Sequence, residues 1–201
     1  MTKPHTNRRA TQDRARETQR KLMDATLDAI SELGWHGATT RKISEKAGVS
    51  IGAQTNHYAS KGELLVAALD RGREASERAG FSESELARLS LAEYLEQLGE
   101  IMLSGDSTYG TLIVEALAAS RTDAALRDAF TETDRAWISR LTELALLTDR
   151  SAVPFDGAKI RQLVEATLYY LRGLNLQLGA HQDRRHLQQL FQLWLKELKL
   201  A

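Results

Sequence analysis

Residues 34–58 read GWHGATTRKISEKAGVSIGAQTNHY, and this stretch decides the fold of the front of the chain. Thr39 favours the start of a short helix, because a threonine hydroxyl accepts hydrogen bonds from the free amides of a first helical turn. Gly48 ends that helix, and Ser50 caps a second one that ends near His57. Two short helices joined by a glycine turn are the arrangement of a helix-turn-helix.

Helical spacing of apolar residues continues on both sides of this stretch. Upstream it runs from Leu22 to Leu33, and Gly34 ends that helix. Downstream, Ser60 and Glu63 have the capping-box pattern that starts a helix. Further helices are predicted at about 61–78, 90–103, 106–120, 123–148, 156–178 and 183–198. No segment shows the sustained alternation of a strand, so the sequence predicts an all-α protein.

Composition and periodicity divide the 201 residues into three parts. Residues 1–12 are polar, lack periodicity and are expected to form a disordered N-terminal arm. Residues 13–60 are interpreted as a three-helix, helix-turn-helix DNA-binding domain. Residues 61–201 are interpreted as a larger helical domain for ligand sensing and dimerisation.

The net charge of zero hides an asymmetry between front and back. Residues 1–61 contain 11 basic against 6 acidic side chains, so the front carries +5 and the back −5. A basic front favours contact with a polyanion. The lack of cysteine excludes disulfides and thiolate chemistry. No apolar run approaches the roughly 20 residues that span a bilayer, which predicts a soluble protein that is not in the membrane.

Residues 34–50 resemble the stretch that joins the first two helices of TetR (tetracycline repressor) family regulators, and residues 51–65 resemble the family's recognition helix and fourth helix. The similarity runs without a gap over roughly residues 16–69. It implies an N-terminal helix-turn-helix domain and a larger C-terminal helical domain. It also implies a cytoplasmic, nucleoid-associated homodimer that represses transcription by binding a pseudo-palindromic double-stranded operator, and that an unknown small organic effector releases.

The second short helix is expected to read DNA bases in the major groove. It contains no charged side chain, so its amides would pair with adenine rather than use the arginine–guanine contact. The base-reading candidates are Ser50, Gly52, Ala53, Gln54 and Asn56. Gln54 stands where the family often has an apolar residue, and the alternative that either amide simply faces solvent remains open.

A second group is expected to contact phosphates, which sets register without reading sequence. Its members are Thr40, Arg41, Thr55, His57, Tyr58 and Lys61. Thr55 replaces an aromatic residue common in the family, and Tyr58 stands where phenylalanine is usual. For Tyr58, the rival interpretation is a core aromatic that closes the small domain.

The last two long helices are apolar on more than one face, which indicates burial on all sides. Gly173 lies in the middle of one of them, where glycine costs about 1 kcal/mol relative to alanine, so a second helix is expected to approach it closely. A partner subunit would supply that helix, as the family resemblance also implies. The predicted dimer interface consists of Ala166, Tyr170, Gly173, Leu193 and Leu195.

Polar, bulky or flexible side chains interrupt the apolar stripes of the C-terminal helices, as in a ligand pocket between helices. The candidates are Tyr94, Met102, Tyr109, Glu115, Trp137, Tyr169 and Asn175, with core packing or surface exposure as the alternative for each. No enzyme motif or metal-ligand spacing occurs, so neither catalysis nor a cofactor is expected. Two alternatives remain: a DNA-binding regulator with no small-molecule effector, and an all-helical ligand-binding enzyme.

Overall fold

The computed structural model describes residues 5–80, 82–103, 108–149, 155–181 and 183–198. Within them the chain is helical and contains no strand, apart from an isolated bridge between Ser90 and Asp149. The all-α prediction is confirmed. In chain order the helices are α1 (His5–Gly37), α2 (Thr40–Ala47), α3 (Ile51–His57), α4 (Lys61–Gly80), α5 (Glu83–Leu86), α6 (Leu91–Leu103), α7 (Thr108–Ala119), α8 (Ala124–Leu146), α9 (Gly157–His181) and α10 (Arg184–Glu197).

None of the helices, over the described part of the chain, is long and apolar enough to cross a bilayer.

Helix α1 is longer at both ends than the apolar spacing indicates. It begins at His5, although residues 1–12 were expected to be disordered; residues 1–4 lie outside the described residues. Apolar periodicity detects only a buried face, and residues 10–14, near the start of α1, are exposed. At the other end, Gly34 interrupts the helix as predicted, with φ 68° and ψ 174°, a conformation that favours glycine.

The predicted caps hold the short helices in place. The Thr39 hydroxyl accepts from the Lys42 amide at 3.3 Å, and the Ser50 hydroxyl accepts from the Ala53 amide at 3.1 Å. Gly48 adopts the left-handed conformation, with φ 67°, that a tight turn between two helices requires. These local contacts explain why the bounds of α2 and α3 agree with the sequence to within a residue.

Helix α5 was not predicted from the sequence. It spans one turn, and its capping box consists of Ser82 and Glu85. A four-residue helix buries only Leu86, so it leaves no apolar periodicity to detect. By contrast, α6 was predicted to start near residue 90, and a capping box of Ser90 and Glu93 is present at its start.

The described chain forms two compact units. The N-terminal unit contains residues 5–70 and 115–130, and the C-terminal unit contains the described residues of 71–114 and 131–198. The start of α4 belongs to the N-terminal unit because Leu64 and Leu65 are fully buried there. Residues 115–130 join that unit from far along the chain, which local sequence could not indicate.

The core of the C-terminal unit lies between α6, α8, α9 and α10. Leu95, Leu168 and Phe191 are buried in it. Gly99 permits the close approach of α10 to α6, because a Cβ there would lie 1.9 Å from the Phe191 ring. This packing leaves one face of α9 exposed.

Candidate nucleic-acid interface

A buried hydrogen bond fixes α2 against α3. The Ser44 hydroxyl donates to Gln54 Oε1 at 2.6 Å, and both residues are 1% exposed. Gln54 was predicted to read bases, and the structure contradicts this, because a fully buried amide cannot reach a base edge. Its side chain instead satisfies Ser44 across the helix pair, in the position where the family often has an apolar residue. Sequence spacing could not reveal this partner.

The exposed face of α3 carries the remaining base-reading candidates. Asn56 and Gly52 are exposed, and Ala53 is half-buried. Ser50 is exposed, but its hydroxyl caps the helix through the Ala53 amide. Among the described residues, none forms a hydrogen bond with the Asn56 side chain. Its amide is therefore free for a base contact.

Most of the residues predicted to contact phosphates lie around this face, and they differ in their solvent exposure. Arg41 is exposed and pairs with Glu45 at 2.8 Å. Thr55 is exposed, and its hydroxyl donates back to carbonyl oxygens of its own helix. Thr40, His57 and Tyr58 are half-buried.

The side chain of Lys61 does not have the orientation expected of the phosphate contact that the sequence predicted. Its Nζ donates to the Trp35 carbonyl oxygen at 2.5 Å and lies 3.9 Å from the centroid of the Trp35 ring. Burial lowers the pKa of Lys61, and the negative charge of Asp123 partly opposes that shift. The ammonium group thus points into the N-terminal unit, whereas a phosphate contact needs it at the surface.

The seven predicted pocket residues are not brought together. Tyr94 is fully buried, and its hydroxyl donates to the Leu141 carbonyl oxygen at 3.0 Å. Asn175 is also buried in the C-terminal unit, with Met102 and Trp137 half-buried there. The other three are Tyr169, which is 52% exposed, Glu115, which belongs to the N-terminal unit, and Tyr109, whose side chain lies outside the described residues.

The predicted dimer residues fall into two groups. Ala166, Gly173 and Leu193 are exposed. Tyr170 and Leu195 are half-buried against the core of their own unit, and Tyr170 stacks on Trp194 with ring centroids 4.9 Å apart. Only the first group is fully available to a partner.

The C-terminal unit contains a buried charged cluster that was not predicted from the sequence. Arg172 donates through both Nη atoms to the Asp134 carboxylate, and Arg73 Nη2 lies 3.3 Å from the same group. The arginines are 7% and 3% exposed. One sequence feature could have indicated this cluster. Arg172 is a charged residue within an apolar helical stripe, between Leu171 and Leu174.

The fold and this interface place the chain in the class of all-α helix-turn-helix proteins. Residues 22–68 match the family model described as bacterial regulatory proteins, tetR family. Over these residues the chain is similar to tetR family regulators.

Curated relatives carry the similarity beyond the matched domain. The HTH-type transcriptional regulator CymR of Pseudomonas putida is 33% identical over 132 residues, which are 63% of this chain and 62% of CymR. The HTH-type transcriptional regulator BetI of Klebsiella pneumoniae is 47% identical over 51 residues, 25% of this chain and 26% of BetI. The chain thus matches about three fifths of CymR and about a quarter of BetI.

Among solved structures, a putative transcriptional regulator from Saccharomonospora viridis in complex with choline superposes with a TM-score of 0.68. The match covers 90% of this chain and 96% of that one, at 19% identity. At this identity the likeness supports the fold alone.

Proposed function

We propose that this protein is a transcriptional repressor that binds a pseudo-palindromic operator as a homodimer and leaves it when a small organic effector binds. The observation that carries the proposal is the helix pair α2–α3, joined at Gly48 and held by the buried bond between Ser44 and Gln54. Such a pair presents its second helix to the major groove as one rigid element.

The chemistry of the exposed surface supports DNA as the partner. Residues 1–61 carry a net charge of +5, which favours a polyanion and predicts binding that weakens as salt rises. Asn56 supplies an exposed amide on α3, and an amide can form a bidentate pair with adenine. Charge would thus give affinity, while Asn56 would give sequence preference.

An exposed face of α9 supports the dimer. Ala166, Tyr169, Gly173 and Leu176 are exposed and recur at spacings of three, four and three, so they form one stripe along the helix. Tyr169 and Leu176 are 52% and 56% exposed. This stripe, which we call the α9 stripe, is an apolar surface of the kind that a second copy would cover.

Support for an effector comes from the family and from one neighbour. The Saccharomonospora viridis regulator is described with choline bound, and effector binding is what the family resemblance implies. The C-terminal unit of this chain has the size of a separate folded domain.

Replacing Asn56 by alanine is expected to weaken specific operator binding by about 1–3 kcal/mol and to relax the base preference at one position in each half-site. The operator is first selected from random duplexes with the wild-type protein. Affinities for operator and random DNA are then measured at one salt concentration, with Gln188→Ala, an exposed amide on α10, as the matched control. Equal losses on both duplexes would show that Asn56 does not read bases, and failure to select any duplex would contradict the proposed function.

Effector binding and operator binding are expected to weaken one another by the same factor, because coupling between two sites is reciprocal. Thermal-shift screening supplies candidate ligands, with choline among the first compounds. The ligand's affinity is then measured with and without operator, and the operator's affinity with and without ligand. If no compound stabilises the protein while operator binding is intact, the regulator without an effector is the correct alternative.

A further inference from the structure

Trp35 is the first residue after the kink at Gly34, and charged side chains pair with both of its backbone polar groups. Glu115 Oε2, from α7, accepts from the Trp35 amide at 2.9 Å. Lys61 Nζ, from the start of α4, donates to the Trp35 carbonyl oxygen at 2.5 Å. All these residues belong to the N-terminal unit. Two helices distant in sequence therefore meet at one peptide segment.

The kink makes these contacts necessary. With φ 68° and ψ 174° at Gly34, the helical ladder of α1 is interrupted, so the amide that follows needs a partner outside the ladder. Trp35 is 6% exposed, and a buried amide without a partner is destabilising. Glu115 supplies that partner, and a Cβ at Gly34 would lie 3.7 Å from the same carboxylate oxygen.

The position of Trp35 in turn determines where α2 begins. The Gly34 carbonyl oxygen accepts from the amide of Ala38, which is fully buried, and Thr39 then caps α2. Because α2 is bound to α3 through Ser44 and Gln54, a shift of the kinked segment would move the pair that presents the exposed face of α3.

We infer that Glu115 is a positioning residue for DNA binding, holding the backbone of Trp35 and with it the start of the helix-turn-helix. The inference rests on the proposed function and gives Glu115 a role different from the pocket role that the sequence predicted. Helix α7 contributes residues to both units, with the division between Val114 and Glu115. Glu115 is thus the point where α7 enters the DNA-binding unit, and a displacement of this helix would act directly on Trp35.

The test compares Glu115→Gln with Glu115→Leu. Both variants remove the negative charge, but only glutamine keeps an oxygen that can accept from the Trp35 amide. We expect the ratio of operator affinity to random-duplex affinity to stay within about twofold of wild type for glutamine, and to fall about tenfold for leucine. Random-duplex affinity, which depends on charge, should be the same for both variants.

Hydrogen exchange at the Trp35 amide separates positioning from general destabilisation. Leucine should speed exchange at this amide, while the amides of Leu64 and Leu65, in the buried start of α4, stay protected. The inference is overturned if the leucine and glutamine variants have equal affinity ratios, or if leucine loosens the whole unit. A wild-type protein that selects no duplex would instead overturn the proposed function, so the two failures are distinguishable.

Discussion

Replacing Asp134 by alanine is expected to lower the free energy of unfolding by about 3–5 kcal/mol, because the change removes the shared carboxylate from two buried guanidinium groups. Arg172 is 7% exposed and directs both Nη atoms at Asp134. Its Nε has no acceptor among the described residues, so no hydrogen bond from that atom compensates the loss. Breaking a buried ion pair from one side leaves a charge that water cannot reach.

Urea unfolding of wild type and variants measures this effect. Asp128→Ala, an exposed aspartate on the same helix, is the matched control and should change the unfolding free energy by no more than about 0.5 kcal/mol. Asp134→Asn keeps one acceptor oxygen and should fall between the two. A loss for Asp134→Ala no larger than that of the control would show that the cluster contributes little to stability.

Replacing Gly173 by glutamate is expected to raise the dimer dissociation constant about 100-fold or more, which corresponds to about 2.7 kcal/mol. The new carboxylate would lie in the middle of the α9 stripe, where a partner subunit would bury it without a counter-charge. Within one subunit no described atom lies within 4 Å of a Cβ at Gly173, so the variant should fold normally. Sedimentation at micromolar concentration gives the dissociation constants.

Gly157→Glu introduces the same residue at another glycine of α9 with open space around it, at the start of the helix and away from the stripe. It should leave association unchanged. A wild-type monomer at micromolar concentration would contradict the dimer itself. A Gly173→Glu protein that associates as tightly as Gly157→Glu would show that the α9 stripe is not the interface.

The short-range features of this protein could be predicted because their causes are local. Thr39 and Ser50 cap the helices that follow them, and Gly48 makes the turn between them, all within a few residues of the chain. The helix bounds of α2 and α3 and the all-α fold follow from such signals together with apolar periodicity. Helix α5 and the start of α1 were not predicted, because α5 buries only Leu86 and residues 10–14 of α1 are exposed, which leaves no periodic apolar pattern.

The assignment of side chains to sites depended instead on which residues meet across the fold. Gln54 is an amide on a recognition helix by sequence, yet it is buried against Ser44. Lys61 is a cation near a proposed DNA surface, yet it turns toward Trp35. In each case the deciding partner is on another helix, and the free energy of burying a polar group with a matched partner determines its direction.

The sequence by itself determined the helical class, the position of the helix-turn-helix, its caps and the basic character of the front of the chain, because propensity, capping and charge are properties of neighbouring residues. Tertiary structure alone decided that Glu115 pairs with Trp35, 80 positions away, and that Asp134 joins Arg73 to Arg172. These pairs form because of the way the helices pack against one another. The distance between two helices leaves no local pattern in the sequence, so these pairs could not be predicted from it.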